Sequence, residues 1–280
     1  MSAAATLPGW HGKLPSLGDF ASRRLTPDFL AVWDTWLAQG MQQLRQNDPA
    51  GWLDAYLASP TRRFLLMPGA MPGGMADLLP GGMADLLPGG MAGVLPGAMA
   101  DHSTVEPGPP AWAGVLMPSV DRVGRYFPFT IVQSLHRLPA SPQQMHALWR
   151  RLGQLDELAA DALHDDWPVD RLEAELAQLA GVGDAALAEM FNPASPATPT
   201  PTPAAAAAAA WPPSAGTLLA LALAPGVDIA QHIDAQAQAL WQQRAHGLAY
   251  WYASTDLLAP SLWVSRGLPA SAAALLGATI

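Results

Sequence analysis

Gly9-Trp10-His11-Gly12-Lys13-Leu14-Pro15-Ser16-Leu17-Gly18-Asp19-Phe20 and Trp112-Ala113-Gly114-Val115-Leu116-Met117-Pro118-Ser119-Val120-Asp121-Arg122-Val123-Gly124-Arg125-Tyr126-Phe127-Pro128 follow one plan. Each opens as a short apolar run around an aromatic. Each then breaks at Pro-Ser into a turn bearing Gly, Asp or Arg, and ends on Phe. A core strand meets its polar needs within its ladder and has no use for backbone punctuation this dense. A strand end that presents a few polar groups on a rigid turn does. The competing reading is two structural turns joined by an Asp–Arg pair.

The rest of the composition narrows the class of protein. The chain has 280 residues, half of them hydrophobic, with 11 Trp. That is enough for one large domain or two small ones with a substantial core. No apolar run reaches the roughly 18 residues needed to span a bilayer. Residues Met1 to Pro8 lack the basic and apolar regions of a secretory signal. Without cysteine there are no disulfides or thiolate metal sites, and a cytoplasmic protein is expected. The net charge of −9 is uneven: residues 1–66 and 111–140 together carry about +3, whereas 141–192 alone carries −7. An acidic chain whose single lysine is Lys13 is a poor candidate for nucleic-acid binding. The acidic stretch reads as a solvated helical face.

Periodicity predicts the elements. Thr26 as N-cap, Pro27 at the first position and Asp28 in the first turn start a helix. Phe29, Leu30, Trp33, Leu37, Met41 and Leu44 carry its apolar stripe to about Gln46. A short helix is expected over Trp52–Leu57 and a strand over Arg63–Met67. The second motif begins on a strand, and another runs from Phe129 to about Leu135. A long helix opens at Pro142, and a further one, capped by Asp170, runs to Gly181. A short helix ends near Phe191. Beyond residue 216, strands are expected at Thr217–Leu223, Gly247–Ala253 and Leu262–Val264, with helices over Val227–Trp241 and Pro269–Leu276. Two segments interrupt this order. Residues 70–110 contain the octapeptide Gly73-Gly74-Met75-Ala76-Asp77-Leu78-Leu79-Pro80, repeated at 81–88 and again with changes. Its glycines and prolines predict a flexible insertion. Residues 192–216 read as a Pro/Ala-rich linker. Strands and helices on both sides of that linker predict one α/β domain over 8–280: a mixed β-sheet sandwiched between helices in three layers.

The search for chemistry yields little. Gly9-x-x-Gly12-Lys13 lacks the spacing of a phosphate-binding loop, and Pro15 blocks an immediate helix start. The seven histidines fall in no metal-ligand spacing, and consecutive His164-Asp165-Asp166 side chains diverge. Ser16 and Ser119 follow proline at turns, but neither lies in a Gly-x-Ser-x-Gly elbow. Asp19, Asp121, Arg122 and Arg125 remain. Side by side, the two turns would let Asp19 accept from Arg122 or Arg125, leaving one arginine free for a partner's carboxylate or phosphate.

Trp10-x-Gly12-Lys13-x-Pro15-Ser16-x-Gly18-Asp19-Phe20, then Phe29, Trp33, Trp36 and Leu37, then Trp112 to Pro128, resemble the TagF (ImpM) family associated with the bacterial type VI secretion system. Ser261-Leu262-Trp263 and Gly267-Leu268-Pro269 resemble its C-terminal end. The likeness covers roughly residues 8–69, 111–191 and 212–280. It implies an α/β fold with no established enzymatic activity; no cofactor or metal is expected. It also implies a post-translational repressor that binds the forkhead-associated (Fha) scaffold protein of the apparatus, alongside or against a threonine kinase/phosphatase pathway. Lys13, Ser16, Asp19, Ser119, Asp121, Arg122 and Arg125 are the expected partner-binding residues. Trp10, Phe20 and Phe127 are expected to pack beneath them. The alternatives are a hydrolase or phosphate-handling enzyme using Ser16 or Ser119, and a structural component of the apparatus.

Overall fold

The computed structural model describes residues 7–72, 111–139, 141–181, 185–191, 218–222, 245–255 and 259–277. The octapeptide repeats, the Pro/Ala-rich linker and the helix expected over 227–241 lie outside them. Among the described residues eight strands form a single sheet: β1 (Gly9–Gly12), β2 (Ala21–Arg23), β3 (Arg62–Leu66), β4 (Ala111–Met117), β5 (Phe129–Leu135), β6 (Leu218–Ala222), β7 (Leu248–Ala253) and β8 (Ser261–Arg266). Their spatial order is β2-β1-β5-β4-β3-β7-β8-β6. Strands from both sides of the linker therefore share one ladder, joined where Phe64 of β3 faces Trp251 of β7. Every pairing among the described strands is antiparallel, so the sheet is not mixed in strand direction.

Strand side chains alternate between two cores. On one face Leu65, Val115, Ile131 and Tyr250 meet α3 (Pro142–His164), α4 (Val169–Gly181) and α5 (Ala185–Phe191). On the other, Phe64, Leu116, Val132 and Trp251 meet α1 (Pro27–Asn47), α2 (Trp52–Leu57) and α6 (Ala273–Leu276). Helices thus cover both faces of the sheet, the three layers that the sequence predicts. Double-sided burial also explains why β4, fully buried along Ala-Trp-Ala-Gly-Val-Leu-Met, reads as an unbroken apolar run despite its antiparallel neighbours.

Local chemistry sets the helix ends. The Thr26 hydroxyl accepts the Phe29 amide at 3.3 Å, and Ser141 accepts that of Gln144 at 3.2 Å, each followed by proline in the first turn. Asp170 is not a cap. It lies inside the first turn of α4, and the Pro168 carbonyl accepts the first amides, from Arg171 and Leu172. The C-terminal helix begins at Ala273 and not at Pro269, whose carbonyl is taken by the Trp36 indole at 2.8 Å. On the α1 side Trp33 donates to Thr130 at 3.0 Å and packs on Phe29, Trp36 and Phe64 with ring centroids 5.0–5.4 Å apart.

Candidate functional site

The two motif segments meet at one end of the sheet. β1 pairs with β5 through His11 and Thr130, which brings the turn after Gly12 beside the turn after Met117. Gly12 has φ of +129°, and a Cβ there would run into the Pro128 carbonyl, so only glycine lets the backbones approach this closely. Residues 118–128 form a small hairpin in which Val120 bridges to Tyr126 and the Phe127 amide donates to the Ser119 carbonyl at 3.1 Å. Gly124, at φ +81°, closes its tip.

Asp121 organises this turn. One carboxylate oxygen accepts the amides of Val123 at 3.0 Å and Arg125 at 2.9 Å. The other accepts Arg125 Nε at 2.7 Å and Lys13 Nζ at 2.6 Å. The Asp121 side chain is 0% exposed and that of Lys13 3%. Burial by itself would raise the Asp121 carboxyl. The hydrogen bonds from Lys13, from the Arg125 amide and guanidinium, and from Val123 outweigh it and hold the group well below the usual carboxylate range.

Further bonds clamp the segments together. Arg122 N donates to the Leu17 carbonyl at 2.9 Å, and Arg125 Nη2 donates to that of Gly18. Ser119 Oγ donates to the Lys13 carbonyl at 2.7 Å. Tyr56 of α2 locks the same residue, its hydroxyl donating to Ser119 O at 3.0 Å and accepting from Ser119 N at 2.8 Å. Burial pushes the Tyr56 hydroxyl above its ordinary range, so it stays a donor, even though the Ser119 hydrogen bond and the charge of Arg45 act the other way.

These positions correct several expectations. Lys13, Ser119 and Asp121 are internal braces, too buried to touch a partner. Ser16 Oγ is spent on the Trp167 carbonyl at 2.7 Å and ties the first turn to the segment between α3 and α4. Asp19 is not the main acceptor for either arginine. It is 84% exposed, stands 3.8 Å from Arg125 and accepts the Phe20 amide at 2.8 Å, so Asp121 takes the role foreseen for it. Trp10 is fully buried and donates to Glu173 of α4 at 2.6 Å. Phe127 is buried, whereas Phe20 is 47% exposed. Its ring lies over Lys13 Nζ at 4.0 Å and meets Phe127 edge-on at 4.8 Å. The exposed polar set is Asp19, Arg122 and Arg125. The Arg122 side chain has no ion pair or hydrogen bond among the described residues.

Sequence reading missed what borders this rim. Phe20, Ala38, Met41, Gln42, Arg45, Gln46, Tyr126 and Phe127 line a groove of about 420 Å³ between α1 and the second motif. Nothing in the α1 pattern marked Ala38, Gln42 and Gln46, which look like ordinary solvated positions. Among the described residues no group of three or more His, Asp or Glu is placed to hold a metal ion. In the same residues no helix is long and apolar enough to cross a membrane.

The crystal structure of PA0076 from Pseudomonas aeruginosa PAO1 is similar over 98% of this chain and 95% of its own, at 28% identity and a TM-score of 0.57. No curated protein matches the chain. The N-terminal domain of TagF, type VI secretion system-associated, matches residues 9–82 and 99–179, which include both motif segments and more than half of the chain. The chain therefore belongs to the TagF family of type VI secretion-associated proteins.

Proposed function

We propose that this chain is a non-enzymatic cytoplasmic regulator that represses assembly of the type VI secretion system after translation, by binding the Fha scaffold through the rim its two motifs build. The observation that carries this reading is how the charges are divided at the rim. Lys13, Asp121 and the Nε side of Arg125 are used internally to fix the hairpin. Arg122 is left presented on a rigid, exposed turn. A cation held this way loses little conformational freedom when it meets a carboxylate or phosphate. The enzymatic alternative gains no support from its two candidate nucleophiles, since Ser16 and Ser119 both donate to backbone carbonyls inside the structure.

The test pairs the purified full chain with the Fha scaffold from the same bacterium. Isothermal titration should give a complex with wild type and at least about tenfold weaker binding with Arg122→Glu. Overproduction of wild type should lower the secreted proteins of the apparatus in the culture supernatant, and the variant should not. Equal affinity and equal repression by both proteins would refute the reading.

A further inference from the structure

The groove beside the rim has a chemistry that specifies its occupant. Its walls are mainly apolar, from Phe20, Met41, Phe127, the ring of Tyr126 and the methyl of Ala38, with Gln42 and Gln46 as neutral polar positions. No carboxylate lines it, and its one charged residue is Arg45. The Arg45 guanidinium sits 4.5 Å from the Trp52 ring and has no ion pair among the described residues. The loop that supplies Tyr126 and Phe127 also carries Arg122 and Arg125. Of the charged groups beside the groove, Asp19 faces Arg125 at 3.8 Å and Asp34 faces His11 at 3.1 Å, whereas Arg45 and Arg122 have no ion pair among the described residues, so the charges left to meet a ligand are positive. The groove volume falls within the range of about 300–1,000 Å³ typical of ligand-binding clefts.

We infer that this groove takes a short acidic peptide segment of the partner, with a large apolar side chain seated between Phe20 and Met41 and flanking carboxylates meeting Arg45 and Arg122. Apolar burial supplies the anchor, and the two arginines supply register and sign selectivity. The inference rests on the partner-binding reading above and deepens it by naming the bound chemistry.

The experiment uses the full chain and short fluorescein-labelled peptides read by fluorescence anisotropy. One peptide carries a central Leu flanked by Asp and Glu. A second replaces the acids with Lys, and a third replaces the Leu with Ala. The acidic Leu peptide should bind, with the other two weaker by at least about tenfold. Arg45→Glu should lower its affinity by a similar factor and restore binding of the Lys peptide. Ala38→Trp, which fills the groove from an exposed position, should abolish binding while the melting curve stays near wild type. Comparable binding of all three peptides, or no loss in either variant, overturns the inference. Tighter binding of the octapeptide Gly73–Pro80 would assign the groove to the chain's own repeat, and self-association lost in Ala38→Trp would assign it to a second copy. Either result removes the partner assignment. The Fha scaffold separates the two levels. If its binding needs Arg122 but ignores Ala38→Trp, the groove inference alone fails. If wild type does not bind it at all, the functional reading fails, whatever the peptides do.

Discussion

Replacing Tyr56 by Phe removes one oxygen from the centre of the motif region. That hydroxyl serves both backbone groups of Ser119, donating to its carbonyl at 3.0 Å and accepting from its amide at 2.8 Å. The two losses are unequal. The Ser119 carbonyl keeps the Phe127 amide at 3.1 Å and forfeits one hydrogen bond of about 0.5–1.5 kcal/mol. The amide has no other partner among the described residues and is left unsatisfied in a buried position, at about 1–3 kcal/mol. The ring is retained and still packs against Tyr126, so no cavity opens. The expected cost is about 2–4 kcal/mol in all. For a domain of this size that lowers the melting temperature by about 4–16 °C. The damage should be local. Hydrogen exchange should show faster exchange at Ser119 and across residues 119–127, with β7 and β8 protected as before. A melting temperature unchanged within about 1 °C and a Ser119 amide still slow to exchange would refute the claim that α2 anchors the hairpin.

Other outcomes follow from the same contacts. The folded-state pKa of Asp121 lies below its unfolded value near 4, so the stability it contributes is complete above about pH 4 and declines as the pH falls further. Asp121→Asn should therefore melt lower at pH 7, with Lys13 left buried beside a neutral amide, and vary less with pH below about 4; parallel curves for the two proteins would contradict this. Gly12→Ala, at φ +129° and in collision with the Pro128 carbonyl, should disrupt the junction of the motifs and abolish scaffold binding by titration. Gly40→Ala, whose new methyl would lie 2.9 Å from Ala272 Cα, should separate α1 from α6 and cost about 1–3 kcal/mol by chemical denaturation.

The parts of the fold legible in sequence are those with local causes. Thr26-Pro27-Asp28 and Ser141-Pro142 announce their helices because caps and first-turn prolines act over three or four residues. β2 escaped notice because Ala21-Ser22-Arg23 has no strand signature of its own; its register on β1 defines it. The late start of α6 escaped for the same kind of reason, since the Trp36 indole that takes the Pro269 carbonyl is 233 positions away. At the site, the punctuation of the two segments pointed to paired turns, and the residues do converge. Which acid pairs with which cation was not legible. Asp19 and Asp121 look equivalent in sequence, and only packing decides that one is enclosed between Lys13 and Arg125 while the other faces water.

The proposed function requires the rim formed by the two motifs to be the face that meets the Fha scaffold. Its most direct test is photo-cross-linking in living cells, with a benzophenone amino acid placed at exposed Val123 on the hairpin or at exposed Gln178 on α4, in the helical layer across the sheet. A covalent adduct with the scaffold is expected from position 123 and none from 178. An adduct from position 178 alone would contradict it.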